Sequence, residues 1–348
     1  MLRLTKSLLY RVKAIRLCNL HKDNQFMRDL VKMCCTWNVE GEVICNLLNL
    51  HYEHNGEIDR LLYRLLSDSD KYEFLRFFIK RFSGHNTYNE SEKKLIDEAF
   101  DKAKQICLNS NGDAKCSFIF EGKQISFVYP LSHSEGNDAE RRLMSYYPVA
   151  HCFFLREYEK EGFNPKDGGV IFDCGAAYGD TALFFSTLYP NSEIISFEYG
   201  DEAIDYAYRN IQDNKVSNVK LEKAYLYSET GVQSINDNGK ISTADDLHAN
   251  TIEVNTVSLD YYVENNKLND IRLIKFDIEG GEQSALQGAV NTILKYHPIL
   301  YIPIYHLDDD VYKIPAFIKE LGIPYQLSIK WTEKLVWGVD CVLYVKFL

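Results

Sequence analysis

A short apolar strand that runs straight into a glycine-containing turn is the feature that most constrains how this chain folds. Residues 170–173 read Val-Ile-Phe-Asp, residues 174–179 read Cys-Gly-Ala-Ala-Tyr-Gly, and a helix is predicted to begin at Asp180. A turn of this kind brings bare backbone amides close to a ligand and places a helix N-terminus beside it. The segment therefore predicts a strand–turn–helix unit of an α/β sheet with a ligand site at its turn.

The spacing of the glycines separates several classes of ligand. A dinucleotide fingerprint needs Gly-x-Gly-x-x-Gly, but Ala177 stands where the middle glycine would let the backbone approach a pyrophosphate. A phosphate loop is also excluded, because no Gly-Lys-Ser/Thr follows. Asp173 ahead of Gly175 and Gly179 instead suits a cationic amino-acid group joined to a nucleoside, and an ordinary strand-to-helix turn is the plainer alternative.

Composition and charge disfavour two kinds of partner. The chain has 348 residues, of which 46% are hydrophobic and 26% charged, and its formal net charge is -11. Because an acidic surface repels phosphate backbones, nucleic acid is not expected as a partner. No apolar run reaches the roughly 20 residues that span a bilayer, and no signal peptide is recognised. Residues 1–17 are basic and apolar, which fits ordinary helix packing better than a membrane-surface helix.

The cysteine pattern predicts a reducing compartment. The chain has 9 cysteines, an odd number, and contains no Cys-x-x-Cys pair. Such a pattern fits reduced thiols better than a disulfide framework or a zinc site. We therefore expect a cytoplasmic protein.

The chain divides into two regions of different pattern. Residues 1–145 are predicted to form a mainly helical domain with a β-hairpin near 116–128. Residues 146–348 alternate strands with helices, which predicts a parallel α/β sheet. The polar stretch 228–250 has no clear period and is expected to be a long insertion of the kind that forms lids or binding loops.

Apolar runs and helical spacing locate the elements of residues 146–348. Strands are expected near 170–173, 193–198, 219–226, 272–277, 299–305, 325–331 and 340–347. Helices are expected near 180–188, 201–213, 258–265, 280–296 and 310–321. No helix separates the last two strands, so they are expected to pair antiparallel at the end of the sheet.

Acids or a histidine follow four of the predicted strands. Asp173, Glu198 and Asp277 end the first, second and fourth strands, and His306 follows the fifth. Because ligands of open α/β sheets bind at the carboxyl ends of the strands, these side chains are expected to face one site. Glu198 lies 25 positions after Asp173, close to the spacing of an acid that binds a ribose diol.

Each of these residues also has a plainer structural interpretation. Asp173, Asp277 and Glu279 could cap the helices that follow them, since acids favour helix N-termini. Glu198 could be a solvated strand end, and His306 could be a structural histidine.

Three acids and one lysine around the fourth strand leave further alternatives open. Asp277, Glu279 and Glu282 supply oxygen ligands suited to magnesium. One cluster does not establish a metal site, so a divalent metal remains an open hypothesis and no metal ligand is assigned. Lys275 lies inside the strand and is expected either to pair with a nearby acid or to point to a sheet edge.

Several segments of the chain together resemble one family. The segments are IFDCGAAYGDTALFF, SFEYGDEAIDYAYRNI, NTVSLDYYV, IKFDIEGGEQSALQGA, YIPIYHLDDDVYKIPAFI and WGVDCVLYV, which span residues from about 155 to 348 in order. This set resembles the FkbM-type family of S-adenosylmethionine-dependent methyltransferases, and the DIEGxE block followed by Leu-x-Gly-Ala is specific for that family. The resemblance implies a class I methyltransferase fold, a Rossmann-like doubly wound sheet of seven strands whose last strand is antiparallel. Residues 1–145 lie outside it as an added helical domain.

The resemblance also implies S-adenosyl-L-methionine as cofactor and assigns its contacts. The cofactor-binding residues that it implies are Asp173, Gly175, Ala176, Ala177, Gly179, Glu198, Tyr199 and Asp277. The turn would cradle the methionine part, Glu198 the ribose hydroxyls, Tyr199 the adenine, and Asp277 would lie near the sulfonium. An Asn is frequent in this family where Ala177 stands, so one polar contact is missing.

The expected activity is O-methylation. The resemblance points to a sugar or glycan hydroxyl, or to that of a small natural product, as acceptor. A hydroxyl must lose its proton to a nearby base, and His306 and Asp277 are the expected catalytic residues, with Glu279 third. The alternative is a non-catalytic binding or regulatory protein that keeps the cofactor fold, and a nicotinamide dehydrogenase is disfavoured by the missing glycine. The helical domain is expected to serve a protein partner or a homo-oligomer.

Overall fold

The chain forms two compact units. The computed structural model describes residues 13–14, 23–50, 53–84, 90–110, 113–130, 146–236, 251–333 and 339–348. One unit comprises Met1–Glu92, Ile304–Leu343 and Leu348, and the other comprises Lys93–Pro303 and Tyr344–Phe347. The boundary expected near residue 145 stays a prediction. The basic segment 1–17 lies outside the described residues, apart from Lys13 and Ala14.

Ten α-helices of four or more residues lie in the part of the chain that the structure describes. They are α1 (Gln25–Thr36), α2 (Gly41–Leu50), α3 (Asp68–Ser83), α4 (Glu90–Ile106), α5 (Asp180–Leu188), α6 (Asp201–Asp213), α7 (Leu259–Asn265), α8 (Glu282–Gln287), α9 (Val290–Tyr296) and α10 (Asp310–Glu320). Residues 55–65 form short helical turns between α2 and α3. None of these described helices is long and apolar enough to cross a membrane.

The strands of the described residues belong to three sheets. They are β1 (Cys107–Ser110), β2 (Asp113–Phe120), β3 (Lys123–Pro130), β4 (Val170–Cys174), β5 (Glu193–Glu198), β6 (Val219–Lys223), β7 (Tyr225–Leu226), β8 (Gly231–Asn236), β9 (Thr251–Val257), β10 (Ile271–Phe276), β11 (Ile299–Pro303), β12 (Tyr325–Glu333) and β13 (Val339–Phe347). The sheet orders are β1-β2-β3, β12-β13-β11-β10-β4-β5-β6 and β7-β9-β8.

The seven-stranded, mostly parallel sheet confirms the predicted fold class. Its interior strand β4 is buried at all five positions and pairs in parallel with β5 on one side and β10 on the other. A strand covered on both faces reads as a continuous apolar run, which is why it stood out in the sequence. The register places Ser196, Asp173 and Lys275 in one row across the three strands. The carboxyl ends of the strands beside this row form the candidate functional site.

Aromatic packing forms the core of the unit that contains α1 and α3. The ring of Phe26 lies 5.5 Å from that of Tyr63, 5.8 Å from that of Phe74 and 5.1 Å from that of Phe78, measured between centroids. Edge-to-face contacts of this kind add stability beyond the buried area. The spacing of apolar residues predicted that this part of the chain is helical, and the structure has helices there.

Two asparagines of α6 attach the β1–β3 sheet to that helix by pairing with the backbone of β3. Asn210 accepts from the N–H of Val128 and donates to its carbonyl, each at 2.8 Å. Asn214, one turn later, accepts from the N–H of Ser126 at 2.8 Å and donates to its carbonyl at 2.5 Å. Asn210 also donates to the carbonyl of Tyr178 at 2.8 Å. The fully buried Asn210 therefore links β3 to the turn that follows β4.

One cysteine pair departs from the expectation of reduced thiols. Cys107 and Cys116 form a disulfide across the antiparallel pair β1 and β2, where they are direct partners. The expectation was wrong at this pair because the odd count and the absence of a Cys-x-x-Cys motif say nothing about strand register. The other described cysteines are free thiols. The cytoplasmic compartment stays a prediction.

Several further elements differ from the expected ones. The strand expected over 219–226 is two strands, β6 and β7, in different sheets, and β9 was not expected. Part of the polar stretch 228–250 is a strand, since β8 pairs antiparallel with β9, and residues 237–250 lie outside the described residues. The helix expected over 280–296 is two helices, α8 and α9, with Gly288 between them. A Cβ on Gly288 would lie 2.3 Å from the carbonyl oxygen of Tyr227, so this close backbone contact needs glycine.

Replacing Asn210 by alanine should lower the free energy of unfolding by about 2 kcal/mol or more. The substitution leaves the buried N–H and C=O of Val128 without their partner, and unsatisfied buried groups are costly. Urea unfolding followed by circular dichroism measures the loss. The matched control is Asn266→Ala, whose exposed side chain donates to the Tyr262 carbonyl at the end of α7 and should change stability by less than about 0.5 kcal/mol. Equal losses for the two variants would contradict the attachment of β3 through Asn210.

Candidate functional site

The turn after β4 packs against the chain that follows β10. Gly175, Ala177 and Gly179 all have positive φ, at 88°, 43° and 85°. The N–H groups of Gly175 and Ala176 both donate to the carbonyl of Phe197 in β5, at 3.0 and 2.9 Å. A Cβ on Gly175 would lie 1.7 Å from the carbonyl oxygen of Asp277. Glycine at 175 is therefore required by two independent constraints, backbone conformation and close contact.

Glu198 joins the turn after β4 to the turn after β5. Its Oε1 accepts from the N–H groups of Tyr199 and Gly200, both at 2.8 Å, and its Oε2 accepts from that of Ala177 at 3.0 Å. Burial raises the pKa of Glu198, although the three N–H donors act in the opposite direction. The backbone thus fixes this carboxylate at the end of β5, where an acid was predicted.

A cavity of about 340 Å³ lies between the turns that follow β4, β5, β6 and β10. The predicted site residues that line it are Gly175, Ala177, Glu198, Tyr199, Asp277 and Glu279. Ala176 is fully buried and Gly179 packs against Ala207, so these two lie behind the turn and not on the described cavity wall.

One wall of the cavity was not predicted. Tyr225 lines it, and its ring meets the ring of Tyr199 edge-on at 5.2 Å between centroids. Burial raises the pKa of Tyr225 to about 12, so its phenol is neutral at physiological pH. Tyr225 lies near the end of the strand expected over 219–226, but a tyrosine there has no charge to mark it.

Asp173 lies beneath the turn and is fully buried. Its carboxylate accepts from the Thr181 hydroxyl at 2.8 and 2.9 Å and from the Ser196 hydroxyl at 3.1 Å. Lys275 lies 3.1 Å from its Oδ1. The carboxylate therefore has partners on α5, β5 and β10, and its assignment as a cofactor contact stays a prediction.

Lys275 pairs with an acid, one of the two alternatives expected for it. Its ammonium donates to the carbonyl of Gly175 at 2.7 Å and lies 3.8 Å from Asp277 Oδ2. The side chain is 1% exposed. Burial by itself would lower the pKa of Lys275, but the carboxylates of Asp173 and Asp277 outweigh burial and raise that pKa above its usual value.

The three predicted catalytic residues lie in different settings. Asp277 lines the cavity, and its Oδ2 accepts from the hydroxyl of Tyr158 at 2.5 Å. Glu279 lines it too, with an exposed side chain and a φ of 55°. His306 belongs to the other compact unit, where its ring lies 4.2 Å from that of Tyr305. The catalytic roles of all three stay predictions.

The three acids considered as magnesium ligands also differ in setting. Glu282 is fully buried, and its Oε1 accepts from the N–H of Ile278 at 2.9 Å. This bond makes it a carboxylate that holds the loop before α8 in place. An oxygen of Asp277 lies within 4.8 Å of one of Glu282, whereas the side chain of Glu279 is exposed. The divalent metal stays a hypothesis, and no ligand is assigned to it.

Asp180 is a titratable residue that the sequence analysis did not select. It is the first residue of α5, directly after the glycine turn, and it is partly exposed. Burial raises the pKa of Asp180 to about 7, with the Lys275 ammonium acting in the opposite direction and Asp173 adding to the increase. A carboxylate that titrates near neutral pH is a marker of functional sites.

The residues that form the cavity match a known protein family. Residues 173–325 match the model of the Methyltransferase FkbM domain. This part of the chain is therefore similar to an FkbM methyltransferase domain. The match begins in β4, spans every residue that lines the cavity, and confirms the family resemblance drawn from the motifs. No curated protein matches the chain.

Solved structures similar to the chain include several methyltransferases. The methyltransferase FkbM from Methylobacillus flagellatus KT is 17% identical with a TM-score of 0.42, and the alignment covers 78% of this chain and 65% of that protein. The chain therefore spans just under two thirds of that relative. An rRNA methylase from Streptococcus thermophilus is 15% identical, with a TM-score of 0.34 and coverages of 53% and 89%. M. jannaschii TYW2, solved with AdoMet, is 11% identical, with a TM-score of 0.36 and coverages of 69% and 87%.

Replacing Gly175 by alanine should destabilise the FkbM domain by about 3 kcal/mol or more, because the new Cβ meets a carbonyl oxygen in a packed turn. The control is Gly122→Ala in the hairpin between β2 and β3. Gly122 also has a positive φ, at 75°, but a Cβ there meets no atom of the described residues within 4 Å. The control should cost only about 1 kcal/mol. Equal losses in urea unfolding would show that backbone conformation alone requires glycine at 175.

Replacing Asp180 by asparagine should change how stability depends on pH. The pKa of about 7 lies above the ordinary value of 3.8, so the folded protein holds a proton that the unfolded chain releases. This contribution to stability is complete below about pH 4 and is lost as the pH rises through about 7. Relative to wild type, the variant should gain on the order of 2 kcal/mol between pH 5 and pH 8. Thermal unfolding at a series of pH values measures this gain, and parallel curves would contradict it.

Proposed function

We propose that the FkbM domain binds S-adenosyl-L-methionine and transfers its methyl group to a hydroxyl oxygen. The observation that supports the proposal most directly is the cavity at the carboxyl ends of β4, β5, β6 and β10, where Glu198 and the bare backbone of Gly175 meet. Ligands of open α/β sheets bind at this edge. The family resemblance supports a sugar, a glycan or a small natural product as acceptor.

The residues of the cavity fit this cofactor at three points. Gly175 and Ala177 present backbone with little or no side chain, which leaves room for the methionine part. A carboxylate offers about four lone-pair sites, and three N–H groups already donate to Glu198. One site thus remains for a ribose hydroxyl. The rings of Tyr199 and Tyr225 provide an aromatic surface for adenine.

The chain contributes positioning and proton removal to the reaction. When bound, S-adenosyl-L-methionine supplies a methyl carbon on a positively charged sulfur, which an oxygen nucleophile can attack. The protein must hold the acceptor in line with that carbon and provide a base for its proton. Asp277 and Glu279 line the cavity, and His306 completes the set of candidates from the sequence.

Asp180 joins these residues as a candidate base. A base is most effective when its pKa lies near the working pH, and burial raises the pKa of Asp180 to about 7. At neutral pH a carboxylate with this pKa can accept a proton. Asp180 follows the turn that forms part of the cavity wall but is not among the described residues that line the cavity, so its role as a base needs an acceptor hydroxyl that reaches the start of α5.

Calorimetric titration with S-adenosylhomocysteine tests the cofactor assignment. Wild type should bind with micromolar affinity, and Glu198→Gln should bind at least tenfold more weakly, a loss of about 1.4 kcal/mol. The control is Glu193→Gln, at the exposed start of the same strand, which should bind like wild type. The melting temperature of each variant shows whether it is folded.

Acceptor screening separates the enzyme from a non-catalytic relative. Methyl-labelled S-adenosyl-L-methionine is incubated with the protein and a panel of monosaccharides, amino sugars, methyl glycosides, small phenols and small amines. Transfer of label to a hydroxyl would support O-methylation, and transfer only to nitrogen would overturn it. Binding of S-adenosylhomocysteine without any transfer would favour the binding or regulatory alternative. Absence of binding by the folded wild type would overturn the cofactor assignment.

A further inference from the structure

A buried ion pair lies directly behind the cavity. Lys275 and Asp173 are register partners on the adjacent parallel strands β10 and β4. Their side chains are 1% and 0% exposed, with 3.1 Å between Lys275 Nζ and Asp173 Oδ1. Neither residue lines the described part of the cavity. Two opposite charges have thus been removed from water at the centre of the sheet.

The ammonium of this pair contacts two of the turns that line the cavity, those after β4 and β10. It donates to the carbonyl of Gly175 at 2.7 Å and lies 3.8 Å from Asp277 Oδ2. The ring of Tyr158 packs over it at 5.1 Å, and the Tyr158 hydroxyl donates to the same carboxylate oxygen of Asp277. Lys275 therefore contacts both Gly175 and Asp277, whose backbones lie close together.

The carboxylate of the pair is fully buried and has three partners within the protein. Two hydroxyls, from Thr181 and Ser196, donate to Asp173 in addition to the ammonium. A ligand ammonium would have to enter a packed sheet to reach this carboxylate. The geometry therefore favours an indirect role for Asp173 over a direct contact.

We propose that Asp173 and Lys275 act as one positioning unit, which holds Gly175 and Asp277 in place for the cofactor, and that Asp173 does not itself bind the cofactor. This inference rests on the proposed function. Removing one member of a buried ion pair leaves an uncompensated charge, whereas replacing both by neutral groups of similar volume is often tolerated. The two residues should therefore be strongly coupled in a double-mutant cycle.

The test is such a cycle, with the affinity for S-adenosylhomocysteine as its readout. Asp173→Asn and Lys275→Met should each weaken binding at least tenfold. The double variant should bind no more weakly than Lys275→Met alone, because Asp173 acts only through the ammonium that the methionine has already removed. A direct contact between Asp173 and the cofactor predicts instead that Asp173→Asn weakens binding at least tenfold further in the Lys275→Met background.

A control pair and the behaviour of wild type separate failure of this inference from failure of the proposed function. The matched control is the surface pair Asp309 and Lys313 at the start of α10, where Asp309→Asn and Lys313→Met should leave binding unchanged singly and together. If Asp173→Asn fails to fold on its own, the comparison of the double variant with Lys275→Met still decides. Binding by wild type together with additive losses in the double variant overturns this inference only. Absence of binding by wild type overturns the proposed function and this inference with it.

Discussion

The pairing of Asp173 with Lys275 is the interaction on which the geometry of the site depends. Both charges lie in one register row of the seven-stranded sheet, and burying either one alone would be costly. Their partners extend to α5, to β5 and to the turn after β4. A single pair in the sheet thus connects these three segments, and the turn after β4 and the end of β5 line the cavity.

Glu198 has a comparable role on the other side. Backbone N–H groups from two different turns donate to its carboxylate. These hydrogen bonds fix the position of the carboxylate. A ligand group that reaches this carboxylate finds an acceptor already oriented. Such preorganisation lowers the entropic cost of binding.

Features that arise from local patterns could be predicted from the sequence. The buried strands β4, β5 and β10 are short apolar runs, and the acids that end them mark the edge where the cavity lies. Features that depend on strand register or on burial in the folded protein could not be predicted. The disulfide of Cys107 with Cys116 depends on strand register, and the raised pKa of Asp180 depends on its burial. The strand β8 was missed because its polar residues show no apolar alternation.

The asparagines of α6 have a consequence for solubility. β3 is an edge of its three-stranded sheet, and edge strands present free N–H and C=O groups that can pair with another molecule and begin aggregation. At Ser126 and Val128 these groups are occupied by Asn214 and Asn210. The helix thereby covers the edge with side-chain amides, where many proteins would add another strand.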